Sequence, residues 1–257
     1  MEKSRKTQQS ANKPVLKLEN VCKKFGGLVA SKNISLELFS GEVFGLIGPN
    51  GSGKTTLLNL ISGIYKTDTG HILYKDIDIK NWPSHKIAKL GILRTFQHPR
   101  LLRDCDIHTN LIVGADLAAK RGIAKSQERS ALLDALMRTA EMHEMNLFDS
   151  IEKLSYGQQK LLEIVRALLA EPDVLLLDEP AAGLNTKEME LVVGLIDLAL
   201  QHHVAVLLIE HSMDLVMSIC HRITVLNFGE QIAMGTPIEI QTNPLVIEAY
   251  LGGDNSD

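Results

Sequence analysis

The stretch Gly48-Pro49-Asn50-Gly51-Ser52-Gly53-Lys54-Thr55-Thr56 decides the fold of this chain. The apolar run Val43-Phe44-Gly45-Leu46-Ile47 precedes it, and Leu57-Leu58-Asn59-Leu60-Ile61 follows with apolar residues at helical spacing. Strand, glycine-rich turn and helix therefore succeed one another, with the pattern G-x-x-x-x-G-K-T at the turn. Glycines let the backbone curl until several N–H groups face one concavity, and the mouth of the following helix adds roughly half a positive charge there. Lys54 can neutralise the β- and γ-phosphates of a nucleotide, and the Thr55 hydroxyl can hold one position of a Mg²⁺ ion. An ordinary strand-to-helix turn would need none of these residue types at this spacing. The stretch from Gly48 to Thr56 predicts a nucleoside triphosphate site, with Asn50, Gly51, Ser52 and Gly53 lining it.

Outward from this stretch, the text alternates strand and helix patterns. Upstream, Val15–Val21 and Ala30–Leu38 read as strands joined through Gly26-Gly27, with Phe25 just before the turn. Downstream, Gly63 closes the first helix, His71–Tyr74 is a short strand, Pro83-Ser84 opens a helix to Leu90, and Ile92–Phe96 reads as a strand ending at Gln97. From about Leu101 to Ile151 strand patterns vanish and helical ones replace them. The α/β rhythm then resumes with a helix over Gln158–Ala170, the strand Val174–Leu177, a helix over about Lys187–Leu200 and the strand Val204–Ile209. Near-continuous apolar strands alternating with helices indicate a buried parallel sheet. The class is α/β, with a helical insertion and a single nucleotide site. Residues 1–13 are polar, mildly basic and read as a disordered tail.

The chain has 257 residues, 45% hydrophobic and 23% charged, which suits one sizeable domain. Its net charge of −4 gives no global basic field for nucleic acid. The three cysteines, Cys22, Cys105 and Cys220, lack C-x-x-C spacing, which fits a reduced compartment and not a metal site. No apolar run approaches the roughly 18 residues that span a bilayer, so any membrane step is expected to need another chain.

Two further constellations carry chemistry. Asp178-Glu179 directly follows the apolar strand Val174–Leu177, where open parallel sheets bind ligands. Asp178 suits a Mg²⁺ partner, and Glu179 suits the base that takes a proton from an attacking water. Leu154-Ser155-Tyr156-Gly157-Gln158-Gln159 has capping-box spacing at Ser155 and Gln158, so it opens a helix. A capped but exposed helix start also presents free N–H groups to a phosphate.

Gly48–Thr56, Leu154–Gln158 and Val174–Glu179, in this order and with a helical insertion between the first two, resemble the ATP-binding subunits of ABC transporters. The resemblance runs from about Leu16 to Gly253. It implies a P-loop NTPase (RecA-like) core with an N-terminal antiparallel β portion and a helical signature subdomain at about residues 101–165, within a domain spanning 14–257. It further implies that Gln97 contacts Mg²⁺ and the lytic water, that His211 contacts the γ-phosphate, and that Phe25 stacks on adenine. Two subunits pair head to tail in this family, so Ser155, Gly157 and Gln158 of one complete the phosphate site of the other. Whether that pair is two copies or two different ATPases stays open. The partners implied are a second ATP-binding subunit, integral membrane permease subunits docking near His98–Arg103 and, indirectly, a solute-binding protein. The expected place is the cytoplasmic face of the inner membrane, with ATP and Mg²⁺ as cofactors.

Two positions depart from the broad family pattern: Tyr156 stands where glycine is usual, and Asn185 where aspartate is common. Gly26-Gly27-Leu28, Arg94-Thr-Phe-Gln97, Tyr156-Gly-Gln-Gln159 and Asn243–Gly252 together look like ATPases of branched-chain (hydrophobic) amino acid importers. ATPases for urea, short amides or lipopolysaccharide are similar and stay open as alternatives, as does a soluble ABC protein outside transport.

Overall fold

A computed structural model describes residues 13–123 and 126–251. The expected tail lies outside them up to residue 12, and the ammonium of Lys13 pairs with Asp76 at 3.0 Å.

The chain opens with β1 (Leu16–Phe25) and β2 (Leu28–Leu38), an antiparallel hairpin turning at Gly26-Gly27. β3 (Val43–Ile47), buried at every position, leads through the glycine-rich stretch into α1 (Lys54–Ile61). β4 (Thr69–Tyr74), β5 (Ile77–Asp78), α2 (Ser84–Leu90) and β6 (Ile92–Arg94) follow. Next come α3 (Ile107–Lys120) and α4 (Ser126–Thr139). After them α5 (Tyr156–Leu169) feeds β7 (Val174–Asp178), and α6 (Thr186–Gln201) feeds β8 (Ala205–Ile209). α7 (Met213–Ile219), the hairpin β9 (Arg222–Asn227) and β10 (Glu230–Gly235), α8 (Pro237–Gln241) and α9 (Pro244–Leu251) complete the described chain.

Two sheets result. The larger has the order β10-β9-β3-β8-β7-β6 and is parallel except for β10. The smaller, β2-β1-β4-β5, is antiparallel throughout. Side chains alternate across the pleat, so neighbouring residues of one strand serve different cores. Leu175, Leu177, Val206 and Leu208 pack with α5 and α6. Val174, Leu176, Leu207 and Ile209 pack instead with α1 and the small sheet. Burial on both faces is why these strands are apolar without interruption. The parallel strands all point their C-terminal ends the same way, which brings Gly48, Asp178 and Ile209 to one edge.

β6 ends at Arg94, two residues earlier than the sequence predicts. Thr95 N still donates to Leu176 O at 3.0 Å, but Phe96 N turns away to the buried carboxylate of Glu163 at 3.2 Å. A side-chain acceptor replaces the ladder there. No helix among the described residues is long and apolar enough to cross a membrane.

Cys220 is buried among core side chains, and burial pushes its thiol up to about 12. Cys22 and Cys105 are only half-buried. Since the thiolate is the reactive form, alkylation of the native protein near pH 8 is expected to leave Cys220 unmodified while Cys105 reacts. Peptide mapping checks this; native labelling of Cys220 as fast as Cys105 would contradict the packing.

Candidate functional site

The glycine-rich stretch adopts the curled form that its composition predicts. Gly48, Gly51 and Gly53 all have positive φ, from 77° to 147°. At Gly48 the constraint is also steric, since a Cβ there would lie 2.0 Å from Leu226 O. Lys54 folds its ammonium back over the loop, donating to Gly48 O at 2.7 Å and Pro49 O at 3.0 Å. Burial pulls the Lys54 ammonium below its ordinary value, and Glu179 and Asp178 oppose that shift. Helix α1 starts at Lys54 with no side chain capping it. The first-turn amides of a helix have no intrahelical acceptors, so they are available to an anion. Ser52 Oγ is buried without a hydrogen-bond partner. The loop opens into a cavity of about 360 Å³ whose wall includes Phe25, Thr55, Thr56, Glu179 and His211.

Glu179 stands one residue past β7 in a left-handed conformation, φ 51°. Such a conformation costs a non-glycine residue about 1–3 kcal/mol and persists only where its surroundings enforce it. Gln97 Nε2 donates to Glu179 Oε2 at 2.9 Å, and His211 Nε2 lies 2.9 Å from Glu179 Oε1. Two residues from two other segments thus converge on one carboxylate. Asp178, one step back, is buried and paired with Arg94 at 2.7 Å. The same guanidinium donates to Asn59 Oδ1 at 2.6 Å, tying β6 to α1. One carboxylate oxygen of Asp178 remains outside that pair. Phe25 is half exposed at the end of β1, its ring edge-on to Tyr65 with centroids 5.2 Å apart.

The Thr55 hydroxyl, the free Asp178 oxygen and the Gln97 side-chain carbonyl are hard oxygen donors. They suit Mg²⁺, which keeps most of its shell as water and phosphate and needs few protein ligands. No cluster of three or more His, Cys, Asp and Glu able to hold a metal occurs among the described residues. The residues present fit a cation that arrives with its nucleotide.

Helix α5 holds both loops that flank Glu179. Tyr156, Lys160 and Glu163, spaced four and three apart, share one face. The buried Lys160 ammonium donates to Glu179 O and Ala182 O at 2.8 Å each and to Pro180 O at 3.4 Å. Burial lowers its pKa, with the neighbouring carboxylates Glu210 and Glu179 opposing. Glu163 accepts from Phe96 N at 3.2 Å and Arg100 N at 2.8 Å, bracketing Gln97, and burial raises its carboxyl. The Tyr156 hydroxyl donates to Gln97 O at 3.1 Å, and its ring lies against Gly183. Glu210 completes the frame, accepting from Ala181 N at 2.6 Å and His211 N at 3.1 Å.

The start of α5 carries the expected capping box, with Ser155 Oγ accepting from Gln158 N and Gln158 Oε1 accepting from Ser155 N. Ser155 is exposed, whereas Gly157 is buried against α6. Ser155, Gly157 and Gln158 are not among the described residues lining the 360 Å³ cavity of their own chain. They form a separate edge.

A phosphate loop, a strand-end carboxylate pair, and a glutamine and histidine converging on the second carboxylate define a nucleotide-hydrolysing P-loop ATPase. Comparison with known proteins agrees. The ABC transporter family profile matches residues 31–182, and a profile described as branched-chain amino acid ATP-binding cassette transporter matches residues 230–255. The chain is 42% identical to the high-affinity branched-chain amino acid transport ATP-binding protein LivG of Escherichia coli K12, over 94% of this chain and 99% of LivG. Among solved structures it resembles the ADP conformation of MJ1267, an ATP-binding cassette of an ABC transporter, with TM-score 0.80 and 31% identity over 94% of this chain and 100% of that one. It also resembles the dimeric post-hydrolysis cassette MJ0796 bound to ADP and Pi, with TM-score 0.72 and 27% identity over 86% and 98%. The chain belongs to the ABC transporter family, as an ATP-binding subunit.

Arg94, Lys160, Glu163 and Glu210 escape the sequence reading. Lys160 and Glu163 share a stripe with Tyr156, Gln159 and Arg166, opposite the apolar Leu161, Leu162, Ile164 and Val165, so in sequence they read as the solvated face of an amphipathic helix and no local signal marks them.

A Cβ at Gly157 would lie 2.0 Å from Glu188 Oε1. Glu188 caps α6 by accepting from Asn185 N at 3.0 Å. Gly157→Ala is therefore expected to displace that cap and cost about 1 kcal/mol, a fall of roughly 2–4 °C in Tm. In a Glu188→Ala background the same substitution should cost almost nothing, and full additivity in thermal melts would contradict the contact.

Proposed function

We propose that this chain is the ATP-hydrolysing subunit of an importer for branched-chain or similar hydrophobic amino acids. The observation that carries its catalytic part is the convergence of Gln97 and His211 on Glu179, each at 2.9 Å, beside the phosphate loop. The cargo rests on the 42% identity to LivG and on the match of residues 230–255 to the branched-chain profile.

In this reading the amides of residues 50–56 and the Lys54 ammonium hold the phosphates, and Phe25 stacks on the adenine. Thr55 and Asp178 would hold Mg²⁺ with help from Gln97; the ion, when bound, neutralises charge on the phosphate oxygens. Glu179 accepts the proton of the attacking water, which His211 and Gln97 orient. Held by both side chains at once, the Glu179 carboxylate has little freedom to turn away. The exposed edge at Ser155, with Gly157 and Gln158, faces the phosphates bound by a second ATP-binding subunit. The dimeric MJ0796 cassette supports such pairing. The subunit sits at the cytoplasmic face of the membrane through permease subunits that dock on the loop following Gln97, with a solute-binding protein delivering cargo to them.

The test is reconstitution with the permease and solute-binding subunits that co-purify from membranes. Leucine-loaded binding protein is expected to stimulate phosphate release. Glu179→Gln should keep ATP binding yet lower turnover about 10²–10⁴-fold, the usual contribution of a general base. Undiminished turnover in that variant removes Glu179 from the role, and indifference to leucine, isoleucine and valine removes the cargo.

A further inference from the structure

Phe228 breaks the rule of its own turn. Asn227-Phe228-Gly229-Glu230 joins β9 to β10, with φ of 45° at Phe228 and 78° at Gly229. Two positive central φ values mark a type I′ hairpin, whose first central position favours Asn, Asp or Gly. A bulky aromatic residue in that region is an outlier. Packing does not compensate it, because Phe228 is 85% exposed. A residue that violates local preference without a structural return marks a functional position more often than an accident.

The placement of the turn indicates which function. Gly229 N donates to Ser52 O at 3.0 Å, and Gly229 O accepts from Lys32 N at 2.7 Å. The hairpin tip is thereby fastened to the phosphate loop and to β2. Phe228 borders the same 360 Å³ cavity as Phe25 and Leu28. These three apolar side chains are 85%, 42% and 68% exposed, respectively, around a floor of loop amides and Lys54. An apolar rim above an anion-binding floor is complementary to a ligand with phosphates at one end and a flat, weakly polar group at the other.

We propose that Phe228, with Leu28, forms a second apolar wall of the nucleotide mouth, covering the nucleoside end of the bound ligand in addition to Phe25. This rests on the phosphate loop binding a nucleotide, and two probes separate the two claims. Full-length wild type, Phe228→Asn and Phe228→Tyr are titrated calorimetrically with Mg-ADP and with inorganic tripolyphosphate, and each is melted.

Asn suits the left-handed position, so Phe228→Asn should melt at or above the wild-type temperature. It should weaken Mg-ADP binding roughly 5- to 30-fold, as expected for partial loss of a buried phenyl contact, and leave tripolyphosphate binding unchanged. Phe228→Tyr, which keeps the ring, should retain Mg-ADP affinity. Unchanged Mg-ADP affinity in Phe228→Asn would overturn the proposal. If that variant instead lost self-association in ATP, the phenyl would belong to the contact between subunits, again overturning it. Wild-type protein binding tripolyphosphate as tightly as ADP would overturn the apolar wall while leaving the phosphate loop's role intact.

Discussion

One buried ammonium organises the site. Lys160 is 2% exposed and donates to the carbonyls of Glu179, Pro180 and Ala182. A buried charge is tolerable only when its hydrogen-bonding capacity is used, and here three main-chain acceptors use it. Those carbonyls belong to the turn that holds Glu179 at φ 51°. Without the ammonium, three main-chain acceptors lose their donor and the strained turn loses one of its restraints. The position of the catalytic candidate is thus set from α5 as well as from the sheet, where Glu179 N donates to Ile209 O at 3.0 Å.

The same helix reaches the opposite side of Glu179. Glu163 holds the backbone on both sides of Gln97, and Tyr156 holds Gln97 O. The Tyr156 hydroxyl and ring give this chain contacts that a glycine there could not make. α5 begins at the edge that carries Ser155 and runs into the core. It cannot shift by more than a hydrogen bond tolerates without moving the Gln97 loop and the Glu179 turn together. Asn185 and Glu188 extend the frame, because their reciprocal cap places a carboxylate against Gly157. Asn185 therefore serves as a helix cap within this chain.

Much of this was legible in sequence, for identifiable reasons. β3, β7 and β8 declare themselves because strands covered on both faces are uniformly apolar, and the phosphate loop because its glycines are forced by close approach, as at Gly48. The start of α5 was legible through its capping box. What stayed hidden depended on pairing between distant segments. Arg94 pairs with a residue 84 positions away, and Glu163 reaches back 67 positions to Phe96. No local pattern encodes such contacts. The early end of β6 has the same cause, since the acceptor that ends the ladder lies on α5. The conflict between Phe228 and its turn stayed hidden as well, because it appears only once φ is known.

The most direct test of this account is the kinetics of Lys160→Met in the assembled transporter, with nucleotide affinity measured on the same preparation. The substitution keeps the length and apolar stem of the side chain and removes only the ammonium. If Lys160 sets the position of Glu179, turnover should fall about 10²-fold, as small misplacements of catalytic groups do, while Mg-ADP affinity stays at the wild-type value because the phosphate loop is untouched. Wild-type turnover in Lys160→Met would contradict the account.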